Sequence, residues 1–119
     1  VFGDGRQTRD CIFIEDAVAA IVAALRLSAS FEIINIGCGH PVQIIDLIHL
    51  IEAIVEVEAN IVFQAARPGE MRHTRADTAK AAELLGLRSA TSLAHGIELT
   101  AEWIKREMSD YDWTKATNH

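Results

Sequence analysis

The sequence predicts a small α/β fold of short strands and about four helices. Segments with a helical period alternate with short β-rich segments along the 119 residues, an alternation typical of this class. Hydrophobic residues make up 50% and charged residues 24% of the chain, which is the composition of a globular protein. We find no internal repeat or linker. One domain over residues 1–108 and a polar tail over residues 109–119 are therefore predicted.

The first half of the chain is predicted to contain two strands with a helix between them. The apolar run Cys11–Ile14 is the first strand, and the β-rich segment Phe31–Gly37, which ends at glycines, is the second. A helix is predicted over residues 15–28, with Asp16 as its N-cap. Its apolar residues recur at i, i+3, i+4 and i+7: Val18, Ile21, Val22 and Leu25.

The second half is predicted to contain three helices and one strand. The helix over residues 43–58 has an apolar stripe too wide for one wet face, so we expect it to pack on two sides. A short strand is predicted at Asn60–Ala65. Asp77 should cap the next helix, with Gly86 beyond its end. The last helix is predicted over residues 91–108.

Composition also restricts the partners. A net charge of −6 argues against nucleic acid, which requires a basic face. No apolar stretch is long enough, without charges, to span a bilayer, so no membrane is expected. Cys11 and Cys38 make no disulfide framework, which favours a reduced, cytoplasmic setting. The histidines are scattered and predict no metal site. The high apolar content predicts an exposed patch on the second helix, and hence self-association.

Five motifs in order resemble the nucleotide-sugar epimerase/dehydratase group of extended short-chain dehydrogenases. Each is loose alone, but together they cover the chain up to about Glu107. The motifs are Phe2–Asp10 with the IFIEDAV run that follows it, Asn35–Gly39 (NIGCG), Arg67–Glu70 (RPGE), residues 76–86 (ADTAKAAELLG) and residues 91–103 (TSLAHGIELTAEW).

The resemblance implies that these residues are the C-terminal, substrate-binding part of such an enzyme. The NAD-binding half would precede Val1 in the parent, so this chain alone is expected to bind no cofactor. By position, Arg9 and Arg67 match the arginines that grip the diphosphate of a UDP- or dTDP-sugar. Glu70 matches a carboxylate that accepts from ribose hydroxyls, and Gln7 lies where the base or sugar would pass. Without the family, both arginines read as ordinary solvated side chains.

Other residues receive structural interpretations. Asp10 is interpreted as a turn anchor, and Asn35 as a partner of local backbone. Tyr111 and Lys115 have the Tyr-x-x-x-Lys spacing of the family's catalytic pair, but they fall in the polar tail, so we assign them no catalytic role. The segment GCGHPV lacks the third glycine of a dinucleotide loop, because Val42 stands there.

The sequence thus predicts part of an NAD-dependent nucleotide-sugar epimerase or dehydratase, inactive as an enzyme on its own and with no catalytic residue of its own. Two alternatives remain open at this point. One is a non-catalytic module that binds nucleotide diphosphates, and the other is a self-associating structural remnant.

Overall fold

A computed structural model describes residues 1–28, 31–87 and 91–108. This part of the chain contains four α-helices and a two-stranded sheet, so the predicted α/β class is confirmed. The helices are α1 (Ile14–Ala24), α2 (Ile44–Val55), α3 (Ala79–Leu85) and α4 (Leu93–Glu107). All four agree with the predicted helices to within a few residues. The predicted polar tail, with Tyr111 and Lys115, lies outside the described residues.

The sheet pairs β1 (Thr8–Arg9) with β2 (Val42–Gln43) in antiparallel register, with Thr8 opposite Gln43. Isolated bridges join Phe2 to Gln64 and Thr8 to His73. The opening segment of the chain therefore lies between β2 on one side and the segment around residues 64–74 on the other.

The three predicted strands are wrong for the described residues. Helix α1 already begins at Ile14, so the predicted strand Cys11–Ile14 is instead the short segment that leads directly into this helix. Asn60–Ala65 contributes a single bridge at Gln64, and Phe31–Gly37 contributes no ladder. The physical reason is that β-rich composition shows only which residues would fit a pleated sheet. A strand forms only where a second backbone supplies hydrogen bonds.

The predicted cap of α1 is also wrong. Phe13 stands at the N-cap of α1, and the Asp16 carboxylate instead accepts hydrogen bonds from the N–H (3.0 Å) and Oγ1 (3.2 Å) of Thr91. Asp16 therefore joins α1 to the start of α4. At α3 the N-cap position is Thr78, one residue later than predicted, but Asp77 supplies the capping hydrogen bond, since its carboxylate accepts from the N–H of Ala79 at 3.1 Å.

The helices pack in two pairs, α1 with α3 and α2 with α4. The hydrophobic residues that are fully buried in the described chain are small: Ala20 on α1 and Ala81 on α3. Phe13 packs closely on Gly96 of α4, where an added Cβ would lie 3.2 Å from the Phe13 ring. Small residues thus let the elements approach, but they bury little apolar surface.

Exposed large apolar side chains are more numerous on α1 than on α2, where the sequence predicts the exposed patch. Most apolar side chains of α2 are half-buried, and Ile51 is its most exposed large hydrophobic residue, at 38%. On α1, five large hydrophobic side chains are between 42% and 82% exposed: Ile14, Val18, Ile21, Val22 and Leu25. Helix α2 meets α4 and, at Ile45, the opening segment near Gly5. Within the described ranges, no helix combines the length and apolarity needed to cross a bilayer.

A single methyl group at Gly37 should destabilise this fold. Gly37 is buried, and a Cβ there would lie 2.5 Å from the Ala76 Cβ and 3.0 Å from Oδ2 of Asp10. Overpacking of this kind costs about 1–3 kcal/mol, so Gly37→Ala should lower the urea midpoint of unfolding. Asn35→Ala, at an exposed position nearby, is the control and should shift stability by less than about 0.5 kcal/mol. Equal midpoints for both variants would contradict this packing.

Candidate functional site

The Asp10 carboxylate fastens three separate segments of the chain. It accepts hydrogen bonds from the backbone N–H groups of Cys38 (2.9 Å), Gly39 (2.9 and 3.1 Å) and Ala76 (2.8 Å). These donors lie 28 to 66 residues away in sequence, so Asp10 anchors a tertiary junction and not only a local turn. A carboxylate that accepts several backbone N–H groups makes strong, charge-assisted hydrogen bonds.

Backbone hydrogen bonds lay the loop around Arg67–Glu70 beside the opening segment. The N–H of Thr8 donates to the carbonyl of Arg72 at 2.8 Å, and the N–H of Thr74 donates back to the carbonyl of Thr8 at 3.3 Å. Gln64 exchanges similar bonds with Val1 and Gly3. Two loops that are about sixty residues apart in sequence therefore form one surface.

Arg9 spans the two loops. Its Nη2 atom forms an ion pair with Oε1 of Glu70 at 2.8 Å, and its Nη1 atom donates to the carbonyls of Thr8 (2.8 Å) and Met71 (3.0 Å). About a third of each charged side chain is exposed. The guanidinium is thus held in a fixed orientation at the junction of the loops, next to one of the other predicted site residues.

Arg67 and Gln7 meet at Phe2. The guanidinium carbon of Arg67 lies 3.6 Å from the centre of the Phe2 ring, a cation–π contact. Gln7 donates from Nε2 to the Phe2 carbonyl at 2.8 Å. The four predicted site residues Gln7, Arg9, Arg67 and Glu70 are therefore brought together. Sequence reasoning noted only the backbone near Phe2 and missed its ring as the platform for Arg67.

A cavity of about 170 Å³ lies at this junction. Gln7, Arg67 and Glu70 line it, and Arg9 reaches it through Glu70. Pockets for whole small molecules usually measure about 300–1,000 Å³, so this cavity has room for only part of a nucleotide sugar.

Counted with Arg9 beside the cavity, the site carries three arginines against two carboxylates, Asp4 and Glu70. Arg72 also lines the cavity and forms an ion pair with Asp4 at 2.9 Å. The pKa of Asp4 is lowered, first because its carboxylate accepts the N–H of Arg6 and then because it binds Arg72. With Arg9 paired to Glu70, Arg67 is the guanidinium of this site that has no carboxylate partner in the described chain. Sequence reasoning missed Arg72, which lies outside the five motifs, and Asp4, which lies inside the first motif but received no role there.

Other parts of the described structure offer less chemistry. A larger cavity, about 680 Å³, is lined by residues 38–40 and 75–79 with Ala82, and contains none of the four predicted site residues. Burial raises the pKa of the Cys11 thiol, which therefore stays protonated at neutral pH and is a poor nucleophile. Over the described ranges, no group of three or more His, Cys, Asp or Glu residues is arranged to hold a metal ion.

Sequence comparisons connect the chain with nucleotide-sugar epimerases. The model of the NAD dependent epimerase/dehydratase family matches residues 1–37. A UDP-glucuronate 4-epimerase from Thermodesulfobacterium geofontis is 31% identical over 109 residues, which are 91% of this chain and 33% of the relative. A UDP-glucose 4-epimerase from Mycolicibacterium smegmatis is 33% identical over 90% of this chain and 34% of its own length. The chain thus spans about a third of the length of the curated relatives it matches.

Solved structures show the same fold over the same fraction. The UDP-glucuronic acid 4-epimerase from Bacillus cereus, in complex with UDP-glucuronic acid and NAD, matches with a TM-score of 0.82 and 39% identity. It is covered over 34% of its length, against 89% of this chain. The UDP-glucose 4-epimerase from Thermotoga maritima, with UDP-glucose, has a TM-score of 0.84 and 31% identity, over 91% of this chain and 35% of its own.

Removal of the Asp10 carboxylate should disrupt this site. Asp10→Ala leaves three backbone N–H groups without their acceptor, and hydrogen bonds to a charged group contribute about 1.5–3 kcal/mol. We expect a loss of at least about 2 kcal/mol in the free energy of unfolding, measured by urea denaturation.

The matched control is Asp4→Ala, which removes a solvent-exposed carboxylate from an ion pair and should cost less than about 1 kcal/mol. A loss for Asp10→Ala no greater than that for Asp4→Ala would show that Asp10 does not fasten the three segments.

Proposed function

We propose that this chain is the substrate-binding part of an NAD-dependent nucleotide-sugar epimerase or dehydratase. One observation carries the proposal: of the residues selected by motif position in the sequence, Gln7, Arg67 and Glu70 line one cavity beside Phe2, and Arg9 is ion-paired with Glu70. The relatives support it, since their names specify UDP-glucose and UDP-glucuronic acid as substrates.

In this proposal the two arginines bind the diphosphate of the nucleotide. Guanidinium groups suit phosphate because they are always charged and present forked donors. Arg67 supplies the charge that no carboxylate in the described site offsets. Arg9 keeps its orientation through the Thr8 and Met71 carbonyls. Glu70 binds Arg9 through Oε1, which leaves Oε2 to accept a ribose hydroxyl.

The described residues do not fit NAD. The closest glycine pattern, at residues 37–42, has Val42 where the third glycine would allow close packing of helix and strand. Val42 moreover belongs to β2, which pairs antiparallel with β1. We propose that NAD is bound by other polypeptide in an intact enzyme of this kind.

A non-catalytic module that binds nucleotide diphosphates is the second candidate. The same placement of Arg67 in the cavity and of Arg9 on Glu70 favours it, because binding requires no catalytic group. The two candidates differ in whether the bound sugar is ever converted, once NAD-binding polypeptide is also present.

UDP should bind weakly to this site and depend on both arginines. The cavity holds only part of the ligand, so we expect a Kd in the high micromolar to millimolar range. Arg67→Ala and Arg9→Ala should each lose on the order of 1.5–3 kcal/mol, about a tenfold to hundredfold weakening. Added salt should weaken binding as well, since the contacts are ionic and partly exposed. Amide chemical shifts during titration with UDP measure these effects.

Arg6→Ala is the matched control. The Arg6 side chain is exposed, and Arg6 is not among the residues that line the cavity, so UDP affinity should change little. Shift changes that avoid residues 7–10 and 67–70, or an Arg6→Ala loss equal to that of Arg67→Ala, would contradict the proposed diphosphate site.

The purified 119 residues should show no epimerase or dehydratase turnover with NAD and UDP-glucuronic acid or UDP-glucose. The reason is that the described residues do not fit NAD and contain none of the catalytic pair that the family uses. Product analysis after long incubation checks this. Turnover that Tyr111→Phe abolishes would overturn the interpretation of the tail, and UDP binding measured in parallel shows whether the chain is folded.

A further inference from the structure

Two segments of the chain form the walls of the cavity beside Phe2. The two isolated bridges bracket these segments in sequence, and both bridges are parallel. Between the bridges run residues 3–7, here called the first wall, and residues 65–72, the second wall. Both walls contribute side chains that line the cavity. The distance between the walls therefore sets the shape of the site.

The first wall is held by backbone hydrogen bonds to its neighbours, and the second wall is held less firmly. The carbonyls of Gly5 and Gln7 each accept, at 3.0 Å, a backbone N–H group from the start of α2. In the described chain, the backbone of the second wall is hydrogen-bonded to another segment only at Arg72, whose carbonyl accepts the N–H of Thr8 at 2.8 Å. Side chains must therefore hold the rest of the second wall in place.

The ion pair between Asp4 and Arg72 joins the two walls directly. Nη2 of Arg72 donates to Oδ2 of Asp4 at 2.9 Å. The other carboxylate oxygen, Oδ1, accepts the N–H of Arg6 at 3.1 Å, so the turn that contains Asp4 also orients its carboxylate. Among the described residues, this ion pair is the one hydrogen-bonded contact that connects the first wall with the second.

A second ion pair, between Arg9 and Glu70, also holds the second wall, but the proposed ligand competes for it. In the proposed site, Arg9 binds phosphate and Glu70 accepts a ribose hydroxyl. Asp4 and Arg72 take no part in those contacts, so their ion pair persists when the nucleotide is bound. The separation of the walls in the complex then depends mainly on this pair.

We propose that Asp4 and Arg72 are positioning residues of the UDP site, whose ion pair holds the second wall where Arg67 can face the diphosphate. The inference rests on the proposed function. Arg67 belongs to the second wall, and its guanidinium carbon lies 3.6 Å from the centre of the Phe2 ring. A shift of this wall would therefore move the guanidinium away from its place beside the cavity. In this role neither Asp4 nor Arg72 has to touch the nucleotide.

Uncharged variants separate positioning from simple attraction between charges. Asp4→Asn keeps an oxygen that can accept the N–H of Arg6 but removes a negative charge beside an anion site. Attraction alone would then strengthen UDP binding, whereas loss of the positioning pair weakens it. The double variant, Asp4→Asn with Arg72→Met, leaves the net charge of the chain unchanged. We expect it to bind UDP about twofold to fivefold more weakly, the scale of an exposed ion pair.

Titration with UDP, followed by amide chemical shifts, measures the Kd of each variant, and urea denaturation of the same samples measures stability. The Kd should rise while the urea midpoint stays nearly constant, because exposed ion pairs contribute little to global stability. Arg72→Lys should stay within about twofold of the original affinity, since one donor on Nη2 makes the contact with Asp4. Glu102→Gln is the control, an exposed carboxylate on α4 that does not line this cavity and should leave the Kd unchanged.

Several results would overturn the positioning role. A double variant with the original Kd would do so while the diphosphate site stands, provided that Arg67→Ala still weakens UDP binding. Tighter binding by Asp4→Asn would show that Arg72 acts through its charge on the ligand. A urea midpoint that falls together with affinity would assign the pair to the stability of the fold. A chain that binds no UDP, or binds it equally well after Arg67→Ala, would overturn the proposed function and this inference with it.

Discussion

The binding of three backbone N–H groups by the Asp10 carboxylate is the constraint on which the rest of the structure depends. With few apolar side chains fully buried among the described residues, the chain relies on polar junctions to fix its loops. Asp10 fixes the position of the segment after Gly37 and of the segment at Ala76, and it directly follows Arg9. Gly37 is part of the same junction, because only a residue without a Cβ fits between Ala76 and the carboxylate. Asp16, in the first turn of α1, performs a similar task at Thr91.

The helices could be predicted because their signals are local. Apolar periodicity located α1 and α2, and Gly86 marked the end of α3 in the left-handed conformation, with φ of 66°. The strands could not be predicted in the same way, since Phe31–Gly37 has suitable composition but receives no ladder within the described chain. The cap at Asp16 failed for a related reason: a residue 75 positions away, Thr91, competes for its carboxylate.

The candidate site, too, could be predicted only in part. Motif order was enough to select Arg9, Arg67 and Glu70, because the family resemblance supplied what spacing alone could not. The ion pair between Arg9 and Glu70, and the stacking of Arg67 on Phe2, depend on how two distant loops are laid together. The apolar surface was placed on the wrong helix because hydrophobic content does not show which side chains the fold covers. Helix α2 packs on α4, whereas the less apolar α1 keeps its large hydrophobic side chains exposed to solvent.

In the diphosphate site that we propose, the ion pair between Arg9 and Glu70 has a consequence for selectivity. Arg9 is already paired with the Glu70 carboxylate in the ligand-free site, so an incoming anion must compete with Glu70 for the guanidinium. A small anion such as chloride or inorganic phosphate would bind Arg9 but leave Glu70 without its hydrogen-bond donor, so the net free energy of binding would be small. A ligand that brings an anionic group for Arg9 together with a hydroxyl for Glu70 compensates both partners at once. Such discrimination arises because a displaced Glu70 would lack a hydrogen-bond donor. It requires no contact with the sugar that the nucleotide carries.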